Sequence, residues 1–141
     1  MLKLAIVSPC YNEEAVLESS SAKLTALLDD LSAKGRISPD SFILFVNDGS
    51  SDTTWDIISK LHSADPRIKG LCLAHNVGHQ YAILAGMMNA KDQCDALVTI
   101  DADIQDELAC IAQMIDAHEK GFEVVYGVKV ERKADSVLKR W

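Results

Sequence analysis

Asp101, Asp103 and Gln105 stand at alternate positions directly after the apolar run Ala96-Leu97-Val98-Thr99-Ile100. In an extended chain side chains alternate with period two, so these three groups point the same way. Two carboxylates and a carboxamide on one side suit a hard divalent cation, Mg2+ or Mn2+. Such an ion takes oxygen ligands and completes its shell with water and substrate phosphates. The competing reading is an acidic turn that caps the following helix, with Asp106 as the cap. A position at a strand end inside an alternating α/β pattern favours the metal.

Three other polar segments carry the same kind of residue. Asn47-Asp48-Gly49-Ser50-Ser51-Asp52 is a strand-to-helix turn and cap cluster. In it Gly49 supplies a permissive backbone, and Asp48 is expected to be free to accept hydrogen bonds from a base or a ribose. In Ser8-Pro9-Cys10-Tyr11-Asn12-Glu13-Glu14, Tyr11 suits a nucleobase and Glu13 suits helix N–H groups. An equally open reading is a Pro-led helix entry with acids in the first turn, where the helix dipole favours them. His75-Asn76-Val77-Gly78-His79-Gln80 has two histidines at a zinc-like spacing. Gly78 interrupts the helix that would align them, and no third ligand is near in sequence. A loop approaching a nucleotide or diphosphate is expected instead. His62 and His118 fall within helices and are expected to be structural.

These segments need elements to hold them. Leu2–Val7 reads as a first strand, and Glu13 to Ala33 as a helix with Leu17, Leu24, Leu27, Leu28 and Leu31 on one face. Phe42–Val46 is a continuous apolar run, hence a strand buried on both faces. Thr53–His62 is a second helix with Trp55, Ile58 and Leu61 inward, and Ile68–Leu73 a third strand. The third helix follows Gly78, with Tyr81, Leu84, Ala85 and Met88 expected inward. Ala96–Ile100 is a fourth strand. Glu107–Lys120 is a fourth helix, with Leu108, Ile111, Ala112 and Ile115 inward and Gly121 as its cap. Glu123–Tyr126 is expected to be a fifth strand. Alternating strands and helices predict an α/β fold: a mostly parallel sheet with helices on both faces and ligands outside the carboxyl ends of its strands. All four polar segments fall at those ends.

At 141 residues one domain, 1–141, is expected, and 48% hydrophobic with 25% charged residues is enough for a real core. The net charge of −7 argues against nucleic-acid binding. Lys129–Trp141 carries five basic and two acidic residues, a local +3 on a body of −10. That asymmetry fits an anionic partner at this end or a solvated helix face. Cys10, Cys72, Cys94 and Cys110 show no metal-type spacing and are expected to be reduced, buried thiols of a cytoplasmic protein. No apolar run approaches the roughly 20 residues that span a bilayer, and no signal peptide is read at the N-terminus. The chain stops at Lys139-Arg140-Trp141 without a helix stop signal, so a longer natural domain is expected.

Together, Val7–Glu14, Val46–Asp52, Asn76–Gln80 and Thr99–Asp106, followed by Tyr126-Gly127-Val128-Lys129 and Arg132, resemble the family 2 inverting glycosyltransferases of GT-A fold. The resemblance is strongest to the branch that glycosylates polyprenyl phosphates. It implies that Pro9, Tyr11, Asn12, Glu13 and Asp48 hold the nucleoside of a UDP- or GDP-sugar, with Gly78 and His79 beside it. It also implies that Asp101 and Ala102 meet ribose and diphosphate, that Asp103 and Gln105, with Asp101, bind the metal, and that Lys129 and Arg132 meet phosphate. Two positions depart from the branch. Glu107 stands where Pro is usual, and Lys129 puts a point charge where a forked guanidinium is usual.

The implied reaction displaces a nucleoside diphosphate from the anomeric carbon with inversion, and the metal offsets the charge of the leaving group. A phosphate acceptor needs no general base. A saccharide or protein hydroxyl would need one, and a nucleotide-sugar-binding module without turnover is a third reading. The basic end, with Lys133, Lys139, Arg140 and Trp141, suits a membrane interface. The expected place is the cytoplasmic face of a membrane, and self-association is left open.

Overall fold

A computed structural model describes residues 1–104 and 108–124. The chain divides into two compact units, Met1–Asp106 and Glu107–Trp141. The first unit holds strands β1 (Leu4–Cys10), β2 (Phe42–Asn47), β3 (Ile68–Cys72) and β4 (Ala96–Thr99), with helices α1 (Leu17–Ala33), α2 (Thr54–Ala64) and α3 (His79–Ala90). The second is described through α4 (Leu108–Glu119), which buries Ile111 and Ile115 and closes on Gly121 at φ 100°, as its sequence signal predicts.

The sheet is parallel, with strand order β3-β2-β1-β4. β1 and β2 are buried along their whole length, as continuous apolar runs between two helical layers must be. α1 buries Leu17, Leu24, Leu28 and Leu31. On the other face Ala5, Val7, Phe42, Leu44 and Val46 form a core with Ala82 and Ala90 of α3.

Several elements depart from the sequence expectation. β1 runs on to Cys10, through Pro9. Val7 faces β4, since its carbonyl accepts the Ile100 N–H at 3.0 Å, and Pro9 has the same parity. β4 has ended there, so the missing proline N–H breaks no ladder bond. α1 starts at Leu17 rather than Glu13. The backbone N–H groups of Asn12, Glu13 and Glu14 are taken instead by Ser50 Oγ, Thr54 Oγ1 and Asp52 Oδ2.

α3 buries a different face from the one expected. Tyr81, Leu84 and Met88 are exposed, and Ala82, Gly86 and Ala90 are buried. The helix lies so close to the sheet that a Cβ on Gly86 would stand 2.5 Å from Val7 Cγ1 and 2.7 Å from Val46 Cγ2. Only small residues fit that spacing. Cys72, at the end of edge strand β3, is exposed rather than buried, whereas Cys10 is buried. Of the expected fifth strand, Glu123 and Val124 are not strand, and Val125 and Tyr126 lie outside the described residues.

Candidate functional site

Strand order reverses between β1 and β4, and a cleft of 360 Å³ opens at the carboxyl ends of the strands there. β1 delivers Pro9, Cys10, Tyr11 and Glu13 to its wall, and β2 delivers Asp48. The β3–α3 loop brings Asn76, Gly78 and His79, and β4 brings Asp101, Ala102 and Asp103. All four polar segments read from the sequence therefore meet.

Hydrogen bonds between the segments hold them in place. Asn12 Oδ1 accepts the Ser51 N–H at 2.9 Å, and Ser50 Oγ accepts the Asn12 N–H at 3.0 Å. Glu14 Oε2 accepts the Thr53 N–H and hydroxyl at the start of α2, and Asp52 Oδ1 accepts the Thr54 N–H at 2.9 Å. The two loops thereby cap α2 together. Gly49 lets the β2 turn lie against the next loop, since a Cβ there would stand 2.4 Å from Asn76 N, and Asn76 Nδ2 donates to the Asp48 carbonyl at 3.1 Å.

Asp48 differs from its expected role. Its carboxylate is buried, and it accepts the N–H groups of Val77 at 2.7 Å and Gly78 at 3.2 Å. It is thus engaged with the loop that leads into α3. Asn12 is not among the residues lining the cleft, because its side chain ties loop to loop. Gln105, Lys129 and Arg132 lie outside the described residues. Cys10 and Asn76 line the cleft although neither was singled out. Their signal was position alone, at the last residue of β1 and in the loop before α3.

The wall is acidic. Glu13's carboxyl is raised above the ordinary range, first by desolvation and then by the nearby charges of Asp103, Asp101 and Asp52. Burial, with Glu13's charge second, pushes the Cys10 thiol up, so it stays protonated and unreactive. Exposure alternates along the β4 exit: Asp101 and Asp103 are open to the cleft, and Ala102 and Ile104 are buried. His79 Nε2, at the start of α3, lies 3.5 Å from Asp101 Oδ1. No group of three His, Cys, Asp or Glu among the described residues is close enough to hold a metal by itself. A carboxylate-lined cleft repels a diphosphate unless a cation intervenes.

Residues 5–141 match the family described as Glycosyl transferase family 2. The chain is 46% identical over 137 residues to the uncharacterized glycosyltransferase YkoT of Bacillus subtilis, covering 97% of this chain and 41% of that protein. It is 32% identical to the prophage bactoprenol glucosyl transferase homolog of Escherichia coli K12, covering 99% of this chain and 43% of that protein. The chain thus spans about two fifths of the length of these curated relatives. The mannosyltransferase PcManGT of Pyrobaculum calidifontis, solved with GDP-Man and Mn2+, superposes with a TM-score of 0.54 at 18% identity, over 72% of this chain and 28% of that one. The likeness extends to the fold, and the expected GT-A α/β architecture stands.

Proposed function

The chain belongs to glycosyl transferase family 2, and from that premise we propose that its cleft binds a UDP- or GDP-sugar through Mg2+ or Mn2+ and serves transfer of the sugar to a polyprenyl phosphate at a membrane surface. The observation that carries the reading is the meeting of Asp101 and Asp103 with Glu13 and the start of α3 at the strand-order reversal.

Tyr11, half exposed on the cleft, offers a ring face to the base. Glu13 supplies an acceptor toward the nucleoside, while Asp48, its carboxylate taken by the Val77 and Gly78 N–H groups, holds the loop beside it. The α3 N-terminus turns its N–H groups and positive dipole end to the diphosphate. Asp101 and Asp103, with Gln105, would hold the cation, which when bound offsets the charge that builds on the departing nucleoside diphosphate. Lys129 and Arg132 are assigned to phosphate by family resemblance. An acceptor phosphate arrives already anionic, so no side chain need remove a proton. The acceptor class is supported by the bactoprenol glucosyl transferase homolog. Membrane contact is assigned to the region after residue 128 on the strength of its basic residues and Trp141.

Melting the chain with UDP or GDP, with and without Mn2+, tests the donor reading. A ligand at about 100 times its Kd stabilises by about 2.7 kcal/mol. The expected outcome is a raised Tm only with nucleotide and cation together, abolished by Asp103→Ala. Equal Tm under all conditions overturns it.

A further inference from the structure

We propose that Ser20, on α1, is a positioning residue for the Asp101–Asp103 segment, an inference that rests on the donor-site reading above. The β4 ladder ends at the pairing of Val7 with Thr99, with one further bond from the Ile100 N–H to the Val7 carbonyl. Past that point the sheet no longer sets where the chain goes. Ser20 Oγ then donates to the Ala102 carbonyl at 2.5 Å, across 82 residues of sequence. A serine inside a helix ordinarily gives its hydroxyl to the carbonyl one turn back. Ser20 directs it out of its helix, to the central residue of the acidic triplet.

The consequence is geometric. Ser20 and Ala102 are both buried, 4% and 2% exposed. With the middle of the triplet fixed to α1 and Ile104 buried beyond it, the flanking carboxylates of Asp101 and Asp103 are left facing the cleft. Ser20 itself is not among the residues lining that cleft. It acts through the backbone, by restricting the orientations the two carboxylates sample before a cation arrives. Pre-orientation of ligands by such outer bonds characteristically changes metal affinity.

The experiment compares wild-type chain, Ser20→Ala and Ser21→Ala. Ser21 is the neighbouring buried serine on the same helix, so its loss controls for a buried hydroxyl as such. Free Mn2+ is measured by electron paramagnetic resonance in the presence of UDP or GDP. Hydrogen exchange across residues 101–104 is measured without metal. Ser20→Ala is expected to weaken Mn2+ binding about tenfold, the equivalent of roughly one hydrogen bond. It should also speed exchange at residues 101–104 while the β1 and β2 amides stay protected. Ser21→Ala should match wild type in both. Unchanged exchange in Ser20→Ala, or equal effects in the two variants, overturns the positioning role. If wild type binds no Mn2+ with either nucleotide, the donor-site reading fails, and exchange alone decides whether Ser20 fixes the segment.

Discussion

The carboxylate of Asp48, at the end of β2, holds the backbone N–H of Val77 at 2.7 Å, 29 residues further along the chain. Its second oxygen takes the Gly78 N–H at 3.2 Å. The β2 turn and the entry to α3 are therefore one unit. Asp48→Asn presents an amide NH2 to one of these two donors and loses that bond. Losing one part-buried hydrogen bond costs about 0.5–1.5 kcal/mol. Urea unfolding should show this loss with an unchanged m-value. Stability equal to wild type would mean that the loop holds its place without Asp48.

Gly86→Ala tests how closely α3 lies on the sheet. An added methyl would sit 2.5 Å from Val7 Cγ1 and 2.7 Å from Val46 Cγ2. Both neighbours are β-branched and stiff at χ1, and both are buried in central strands. Overpacking of this kind costs about 1–3 kcal/mol, against a gain of about 1 kcal/mol in helix propensity. Net destabilisation is expected in the same unfolding assay. A variant as stable as wild type would mean that helix and sheet separate freely.

The helix face that Gly86 marks also shows what the sequence conveyed and what it did not. α1 and β2 were legible because large apolar residues recur at helical spacing in one and run unbroken in the other. In α3 the same rule pointed to Tyr81, Leu84 and Met88, which are exposed. Close approach selects for small residues, and a periodicity of large ones cannot register that. The four polar segments of the site were legible from their places after strands. Asp48's engagement with Val77 and Gly78 was not, because its partners are backbone groups that carry no sequence signature. The same holds for Ser20 and the Ala102 carbonyl. The apolar run marks the first strand only to Val7, and the shorter length of β4 explains why it runs on through Pro9 to Cys10.

Acid should weaken one tie that lies away from the cleft. Arg67 donates to Asp65 at 2.9 Å and to Asp29 of α1 at 2.7 Å. Hydrogen bonds from the Arg67 guanidinium hold the Asp65 carboxyl below the ordinary carboxylate range. A folded value below the unfolded one, near 3.9, means the stabilisation is complete above about pH 4. It is lost as pH falls through the lower, folded value. Asp65→Asn should therefore be less stable than wild type at pH 7, with the gap closing in acid. For a partly exposed pair the effect is at most about 1 kcal/mol. A gap that does not vary with pH would assign the loss to the hydrogen bonds alone.

Glu13 should give the opposite sign. Its carboxyl is raised by desolvation first, then by Asp103, Asp101 and Asp52. The folded state therefore holds its proton more tightly than the unfolded chain. The ionised form is a burden on the fold that is present at pH 7 and relieved as pH falls through the raised value. Glu13→Gln removes that charge. Without metal it should melt above wild type at pH 7, and the advantage should fade toward pH 4. With Mn2+ and nucleotide the order should reverse. The cation would neutralise the acidic wall in wild type, and the variant would lack one acceptor toward the nucleoside. A variant that melts above wild type with and without metal would show that Glu13 burdens the fold and contributes nothing to the ligand.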